Sequence, residues 1–357
     1  MTSDNIVFLL GAGASKDAGL KTSDEMTVEL ERLLGGDWSR YAKLYNAVKA
    51  GILYGNALKG RPRSSTNIEE FVNVLTELSR CKDHIVFPFI ASWNMELMET
   101  AGRDFESIKL FRGEIIKRLV NEWVNLQDTS SAEYYRNLVR LATDLGSRIK
   151  VFSLNYDLCV ESACGRDRVF TGFERIPNRK GLVWNDRLMG SDDDHDDLVR
   201  LYKLHGSIDW RDEEEVLVSY DSPNKTEKAE DYQLIFGTEN KMRPTEPYLF
   251  LLSEFRKFTT EAKLIVCIGY SFQDAHINSI LHHAFSSKAK THLLAVSWSP
   301  EDNRTSDEAK FKQTIAEELA LDEQVITVSL VGAKQFFEKE MTIQHLEQLM
   351  PKEELPF

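Results

Sequence analysis

Asn5-Ile6-Val7-Phe8-Leu9-Leu10-Gly11-Ala12-Gly13-Ala14-Ser15 is the stretch that decides the fold. A short apolar run that breaks at once into alternating glycine and alanine reads as a buried strand running into a tight turn, with a helix to follow. Further strand character is expected at Arg148 to Leu154, Val199 to Leu204, Val216 to Ser219, Tyr232 to Phe236, Lys263 to Ile268, His292 to Trp298 and Val325 to Leu330. Helical spacing separates the later ones, at Tyr248 to Ala262, Asp274 to Ser286 and Ser306 to Leu319. Strands alternating with helices, several of them continuous Val/Ile/Leu runs, predict a doubly wound, Rossmann-like α/β fold: a mostly parallel sheet with helices on both faces.

Between Gly35 and Gly146 the pattern changes. Ile68 to Leu78, Ile108 to Leu126 and Ala132 to Leu145 carry apolar residues three and four apart with few strand-like runs. The expected organisation is therefore a discontinuous main domain, 1–35 and 146–357, interrupted by an all-helical module at 36–145. Asn178 to Asp197 and Ser219 to Asp231 read as polar, turn-rich loops.

The chain has 357 residues, 42% of them hydrophobic, which suffices for a sizeable core without covalent staples. Its four cysteines, Cys81, Cys159, Cys164 and Cys267, are scattered and form no C-x-x-C pair. With no signal peptide or long apolar span in view, the expected setting is a reducing cytoplasm, away from any membrane. A formal charge of −13 argues against a surface built to bind nucleic acid directly, since phosphate neutralisation needs clustered Lys and Arg. The run Asp192-Asp193-Asp194-His195-Asp196-Asp197 lacks the turn-fixing glycine of a calcium loop and reads as solvated loop.

Four segments carry candidate chemistry, each at the carboxyl end of a predicted strand, where ligands bind in open α/β sheets. Gly11, Ala12, Gly13 and Ser15, followed by Gly19, offer close backbone approach and amide groups suited to a pyrophosphate. Lys16 stands at the third glycine position of a dehydrogenase fingerprint, no acidic strand end follows about twenty residues on, and no Walker Gly-Lys-Ser/Thr is present. Asn155 and Asp157 close the strand after the helical module, where such residues either cap the next helix or contact a ligand. His205, beside Gly206, is either structural or a general base, its ordinary pKa lying near neutrality. Gly269 and Ser271, in Cys267-Ile268-Gly269-Tyr270-Ser271-Phe272-Gln273-Asp274, are placed to contact the second half of a dinucleotide. His276, His282 and His283 lack a metal-ligand spacing, so no metal site is expected.

Taken in this order, the segments resemble the sirtuin family. Gly11 to Ser15 with Ala18-Gly19-Leu20 is similar to its first NAD-binding loop, Asn155-Tyr156-Asp157 to its Asn-x-Asp motif, and Leu204-His205-Gly206 to the segment bearing the catalytic histidine. Phe236-Gly237 resembles the Phe-Gly after the next strand, and Gly269-Tyr270-Ser271 the late Gly-x-Ser loop. The departures are the missing pair of C-x-x-C motifs, which removes the zinc ribbon, and Lys21-Thr22-Ser23-Asp24 in place of the usual Asp-Phe-Arg. Ribbon-free forms with a helical insertion and a Gly-Tyr-Ser-Phe-x-Asp segment resemble the sirtuin-like proteins of bacterial antiphage defence. The resemblance implies NAD as substrate, hydrolysis of its nicotinamide–ribose bond with Asn155, Asp157 and His205 catalytic, no zinc, a homo-oligomer, and a HerA-type ATPase as partner. Its alternatives are an NAD-dependent deacylase or ADP-ribosyltransferase, or a non-catalytic NAD or ADP-ribose sensor.

Overall fold

A computed structural model describes residues 5–60, 66–79, 95–102, 105–177, 179–190, 197–214, 216–220, 232–234, 247–287 and 291–351. Cys81, the acidic run from Asp192 to Asp196, and Phe236-Gly237 lie outside them. The chain divides into two compact units: Met1–Leu20, Asn125–Asn224 and Arg243–Phe357 form one, and Lys21–Val124 with Lys225–Met242 the other.

The strands, in chain order, are β1 (Ile6–Leu10), β2 (Ile149–Ser153), β3 (Val169–Phe170), β4 (Phe173–Glu174), β5 (Leu182–Trp184), β6 (Val199–Lys203), β7 (Gly206–Glu213), β8 (Val216–Ser219), β9 (Tyr232–Leu234), β10 (Leu264–Ile268), β11 (His292–Val296) and β12 (Ile326–Ser329). In the first unit, seven of them form one parallel sheet in the order β12-β11-β10-β1-β2-β6-β3. Position in this order explains composition. β1 and β10, interior strands with helices over both faces, are buried at every residue. At the edge, β12 alternates buried and half-buried residues, because one of its faces is less covered.

Side chains of a strand alternate between faces. Ile6, Phe8 and Leu10 share one core with Val151, Leu201, Val266 and Leu294, covered by Tyr135, Leu138, Phe336 and Leu346. On the opposite face, Phe152 stacks on Tyr202 with ring centroids 4.5 Å apart and meets Phe255 of the helix Tyr248–Glu261 at 4.9 Å. The sheet is thus wound on both sides, as the alternation of strands and helices predicts.

Leu138, Leu141 and Ala142 of the helix Asn137–Leu145 belong to that first-face core. The division of the chain accordingly falls at Val124/Asn125 instead of residue 145, and at Leu20/Lys21 instead of residue 35. A helical period alone does not say which apolar surface a helix covers. Within Asn178 to Asp197, expected as loop, stand β5 and the short helix Asp186–Gly190. The cause is local aromatic packing: Trp184 of β5 meets Phe173 of β4 edge-on at 5.4 Å. β4, β5, β8 and β7 pair antiparallel.

The segment Lys21–Val124 of the second unit is helical, with Ser23–Leu34, Ala42–Leu58, Ile68–Ser79, Met95–Ala101 and Glu106–Arg118 among its elements. Thr22 caps the first of these: its backbone N–H donates to the Glu25 carboxylate at 2.9 Å, while its Oγ1 accepts from the Glu25 N–H. Phe111 is the hub of the unit, stacked on Tyr41 at 4.6 Å and edge-on to Phe71 at 5.9 Å. The Lys21 N–H donates to the Trp123 carbonyl at 3.1 Å, so the long segment 21–124 ends beside where it begins. Among the described residues, no helix is long and apolar enough to cross a membrane.

Candidate active site

Strand order locates the site. From β1 the chain moves to β2 on one side and later to β10 on the other, so successive connections depart in opposite directions at β1 and β10. Such a switch point is where open α/β sheets bind ligands, beyond the carboxyl ends of the strands. There Gly11, Gly13 and Gly269 meet. The N–H of Gly11 donates to the Ile268 carbonyl and that of Gly13 to the Gly269 carbonyl, both at 2.9 Å. A Cβ on Gly269 would lie 2.0 Å from the Ala14 nitrogen, and one on Gly11 2.5 Å from the Gly269 oxygen. These glycines let two loops touch backbone to backbone. The amides of Gly11, Gly13 and Ala14, the last donating to the Gly11 carbonyl, are therefore spent inside the protein.

The turn leads into a 3₁₀ segment, Ala12–Ala18, ended by Gly19 at φ 87°. Gly19 donates to the carbonyls of Lys16 and Ser15, which makes it a left-handed helix terminus. Ser15 is 1% exposed, and its hydroxyl lies 2.9 Å from that of Tyr135. Neighbouring Tyr134 donates to the Ala14 carbonyl at 2.7 Å. Both phenols are pushed above their ordinary pKa, burial being the first cause, so both hold the loop as neutral hydroxyls.

Asn155 lies just past β2 and is buried. Its side-chain nitrogen donates to the Gly11 carbonyl at 3.0 Å and to the Ser15 hydroxyl at 3.2 Å, tying the β2 tip to the glycine turn. His205 occupies the matching place one strand over. Ser153 of β2 registers with Lys203 of β6, and the Leu204 N–H donates to the Ser153 carbonyl at 2.8 Å. The two segments stay side by side, because the Ile208 N–H donates to the Tyr156 carbonyl at 3.0 Å. Neighbouring strands of such a ladder run about 4.8 Å apart.

His205 is 2% exposed and sits in the two-residue bend between β6 and β7, next to Gly206 at φ 87°. Its Nε2 lies 3.3 Å from Oδ2 of Asp274. Asp274 follows β10 and His205 follows β6, with β1 and β2 between those strands in the sheet order. Asn155 therefore contacts the turn after β1, and His205 contacts the segment after β10. Asp274 is the functional candidate that reading by segment missed. Its sequence signal was present in the Gly-Tyr-Ser-Phe-Gln-Asp run, but nothing local says that this carboxylate meets a histidine some seventy positions earlier.

Asp157 does what a residue at a strand end does most simply: its Oδ1 accepts the Cys159 N–H at 3.0 Å and starts the helix Cys159–Cys164. Its carbonyl accepts from Lys203 Nζ, which also faces the Glu161 carboxylate at 3.3 Å. Burial pushes the Glu161 carboxyl up, opposed by the charge of Lys203. Ser271 is exposed. Gly237 lies outside the described residues. The three described cysteines are buried; burial raises the thiol of Cys164 to about 12 and pushes those of Cys159 and Cys267 up further, so none is a thiolate nucleophile. Among the described residues, no group of three metal-ligating side chains is placed to hold an ion.

Residues 149–319 match the family model of the SIR2-like domain. No curated protein matches the chain. Similar solved structures include a mutant Sir2 homologue with 2'-O-acetyl ADP-ribose, at 12% identity and a TM-score of 0.42, covering 96% of this chain and 92% of that one. Another is a Sir2 homologue–NAD complex, at 14% identity and a TM-score of 0.40, covering 96% of this chain and 89% of that one. At such scores the likeness transfers no site residue, and the site stands on this chain's own geometry.

Proposed function

With a SIR2-like domain at residues 149–319 as the premise, we propose that this chain binds NAD at the switch point of its sheet and hydrolyses the nicotinamide–ribose bond, releasing nicotinamide and ADP-ribose. The observation that carries this reading is the register of β2 and β6, which sets Asn155 and His205 at matching positions on adjacent strand ends beside the glycine turn. Nicotinamide leaves as a neutral molecule from a cationic ring, so departure needs little acid catalysis and the sugar passes through an oxocarbenium-like state. The protein's task is to hold the ribose and deprotonate the incoming oxygen. Asn155 orients ribose or water. His205 accepts the proton of water or of a ribose hydroxyl. Asp157 fixes the strand end through its contacts with Cys159 and Lys203. Ala12, Gly13, Gly269 and Ser271 line the side on which the dinucleotide's phosphates and second ribose rest.

In the same proposal the chain is a regulated homo-oligomeric effector that depletes NAD in bacterial antiphage defence, acting with a HerA-type ATPase; this part is supported by the resemblance of its motifs alone. A second reading, a sensor that holds NAD or ADP-ribose without turnover, is favoured by the 2% exposure of His205. Incubating pure protein with NAD separates the two. Hydrolysis yields nicotinamide and ADP-ribose in equal amounts, whereas recovery of all the NAD, bound or free, supports the sensor. Consumption of NAD only when a peptide or protein is added would instead indicate acyl or ADP-ribosyl transfer.

A further inference from the structure

We infer that Asp274 is a positioning residue: its carboxylate holds the imidazole of His205 in the orientation and tautomer that make it a base. Three observations converge on it. First, Asp274 Oδ2 stands 3.3 Å from His205 Nε2, with side-chain exposures of only 10% and 3%, so the pair interacts with little solvent screening. Second, the carboxylate is fixed from behind. Oδ1 accepts the N–H groups of His276 and Ile277 at 3.1 and 3.3 Å, capping the helix Ala275–Ser287. Third, the loop that delivers it is braced and strained. Tyr270 donates to Asn278 Oδ1 at 2.7 Å, Asn278 donates to the Phe272 carbonyl at 2.7 Å, and Phe272 holds φ 57°, a left-handed conformation unfavourable for a bulky residue. Strain of this kind persists only where the surroundings over-determine it. Here Phe272 is buried against Tyr270 at 4.6 Å and Phe311 at 6.0 Å.

The chemistry follows from the geometry. In this proposal the charge of Asp274, 3.3 Å from Nε2, favours the tautomer with its proton there and leaves the lone pair on Nδ1. That nitrogen takes a proton from the attacking water as the water oxygen forms the new C–O bond and the C–N bond to nicotinamide breaks, giving ADP-ribose and nicotinamide. The resulting imidazolium is stabilised by Asp274 until the proton passes to solvent. In this role Asp274 acts through the ring and touches no substrate. Among the described residues, titratable groups facing the ring include Asp274, from the segment after β10, and Tyr156, from the end of β2 with ring centroids 6.3 Å apart.

The inference rests on the proposed hydrolysis for its consequence, but its test does not. Nitrogen NMR of the full chain, with histidine labelled and the His205 signal assigned by loss in His205→Gln, reports protonation of each ring nitrogen. We expect the neutral ring to carry its proton on Nε2. In Asp274→Asn, which keeps an oxygen to cap the helix and removes the charge, the His205 pKa should fall by about one unit or more. Nicotinamide release should drop at least tenfold while the KM for NAD moves about twofold or less, and Asp274→Glu should restore part of the loss. A neutral ring protonated on Nδ1 in the wild type would overturn the inference even if Asp274→Asn failed to fold. So would an unchanged His205 titration in that variant. Absence of nicotinamide release from wild type, with the predicted titration intact, would instead count against the hydrolase reading alone.

Discussion

At Gly269 a single hydrogen separates fit from collision. Its φ of 64° and the 2.0 Å approach of a Cβ to the Ala14 nitrogen mean that Gly269→Ala must part the two loops. Strain at such a position alone costs roughly 1–3 kcal/mol, and the lost loop contact adds to it. We expect a large drop in the urea midpoint and a protein at the edge of folding; a midpoint within error of wild type would show that the loops part freely. Asn155 has two roles to separate. Asn155→Ala removes the donor to the Gly11 carbonyl and the Ser15 hydroxyl, at about 0.5–1.5 kcal/mol per hydrogen bond lost, since Ala14 and Tyr135 still pair with those two groups. Its loss of nicotinamide release should far exceed that loss of stability when both are measured on one preparation. The residue types at the strand ends were legible in sequence, since Gly, Asn and His stand out where apolar runs stop. Their partners were not. That Ser15 is sealed under Tyr135, or that His205 meets Asp274, depends on contacts between residues 120 and 69 positions apart, and no spacing rule reaches that far.

Among elements, β1 and β10 were the easiest to read because burial on both faces demands unbroken apolar runs, whereas β4 and β5, two and three residues long, carry too little pattern. The join between β11 and β12 offers a pH test. His292 of β11 lies 2.8 Å from the Thr327 hydroxyl of β12, and burial, aided by Lys312, lowers its pKa from the usual 6.5. A histidine whose folded pKa is depressed favours the folded state when neutral. Its contribution is therefore complete above pH 6.5 and is lost as pH falls through that value toward the lowered one. Wild type should lose more stability between pH 7 and pH 5 than His292→Gln does, as read from urea midpoints; parallel losses would rule the linkage out. Beside the site, Lys203→Met leaves the buried Glu161 carboxylate without its cation, for which about 3–5 kcal/mol is typical. The Glu161 carboxyl, already raised above 4.5, should rise further, so stability in this variant falls as pH climbs above that value. A variant as stable at pH 8 as at pH 5, relative to wild type, would contradict this.

For the whole chain, the division into two units follows from how segment 21–124 closes on itself through Lys21 and Trp123. Insertion at such a point leaves the host's ends close together. Replacing residues 21–124 with a short Gly/Ser linker should preserve the α/β circular-dichroism signature and a cooperative melt; an unfolded product would show that the first unit does not stand alone. The doubly wound sheet was legible in sequence because alternation of strand and helix is a pattern of the whole chain. The boundaries of the helical unit were not, because Asn137–Leu145 carries the same helical period as its neighbours yet covers the sheet. The central claim is that NAD is cleaved between the ends of β2 and β6. Its most direct test is the rate of nicotinamide formation by purified wild type and His205→Ala side by side, each shown to be folded. The account predicts turnover by wild type and a loss of about 10²-fold or more in the variant; equal rates in the two would contradict it.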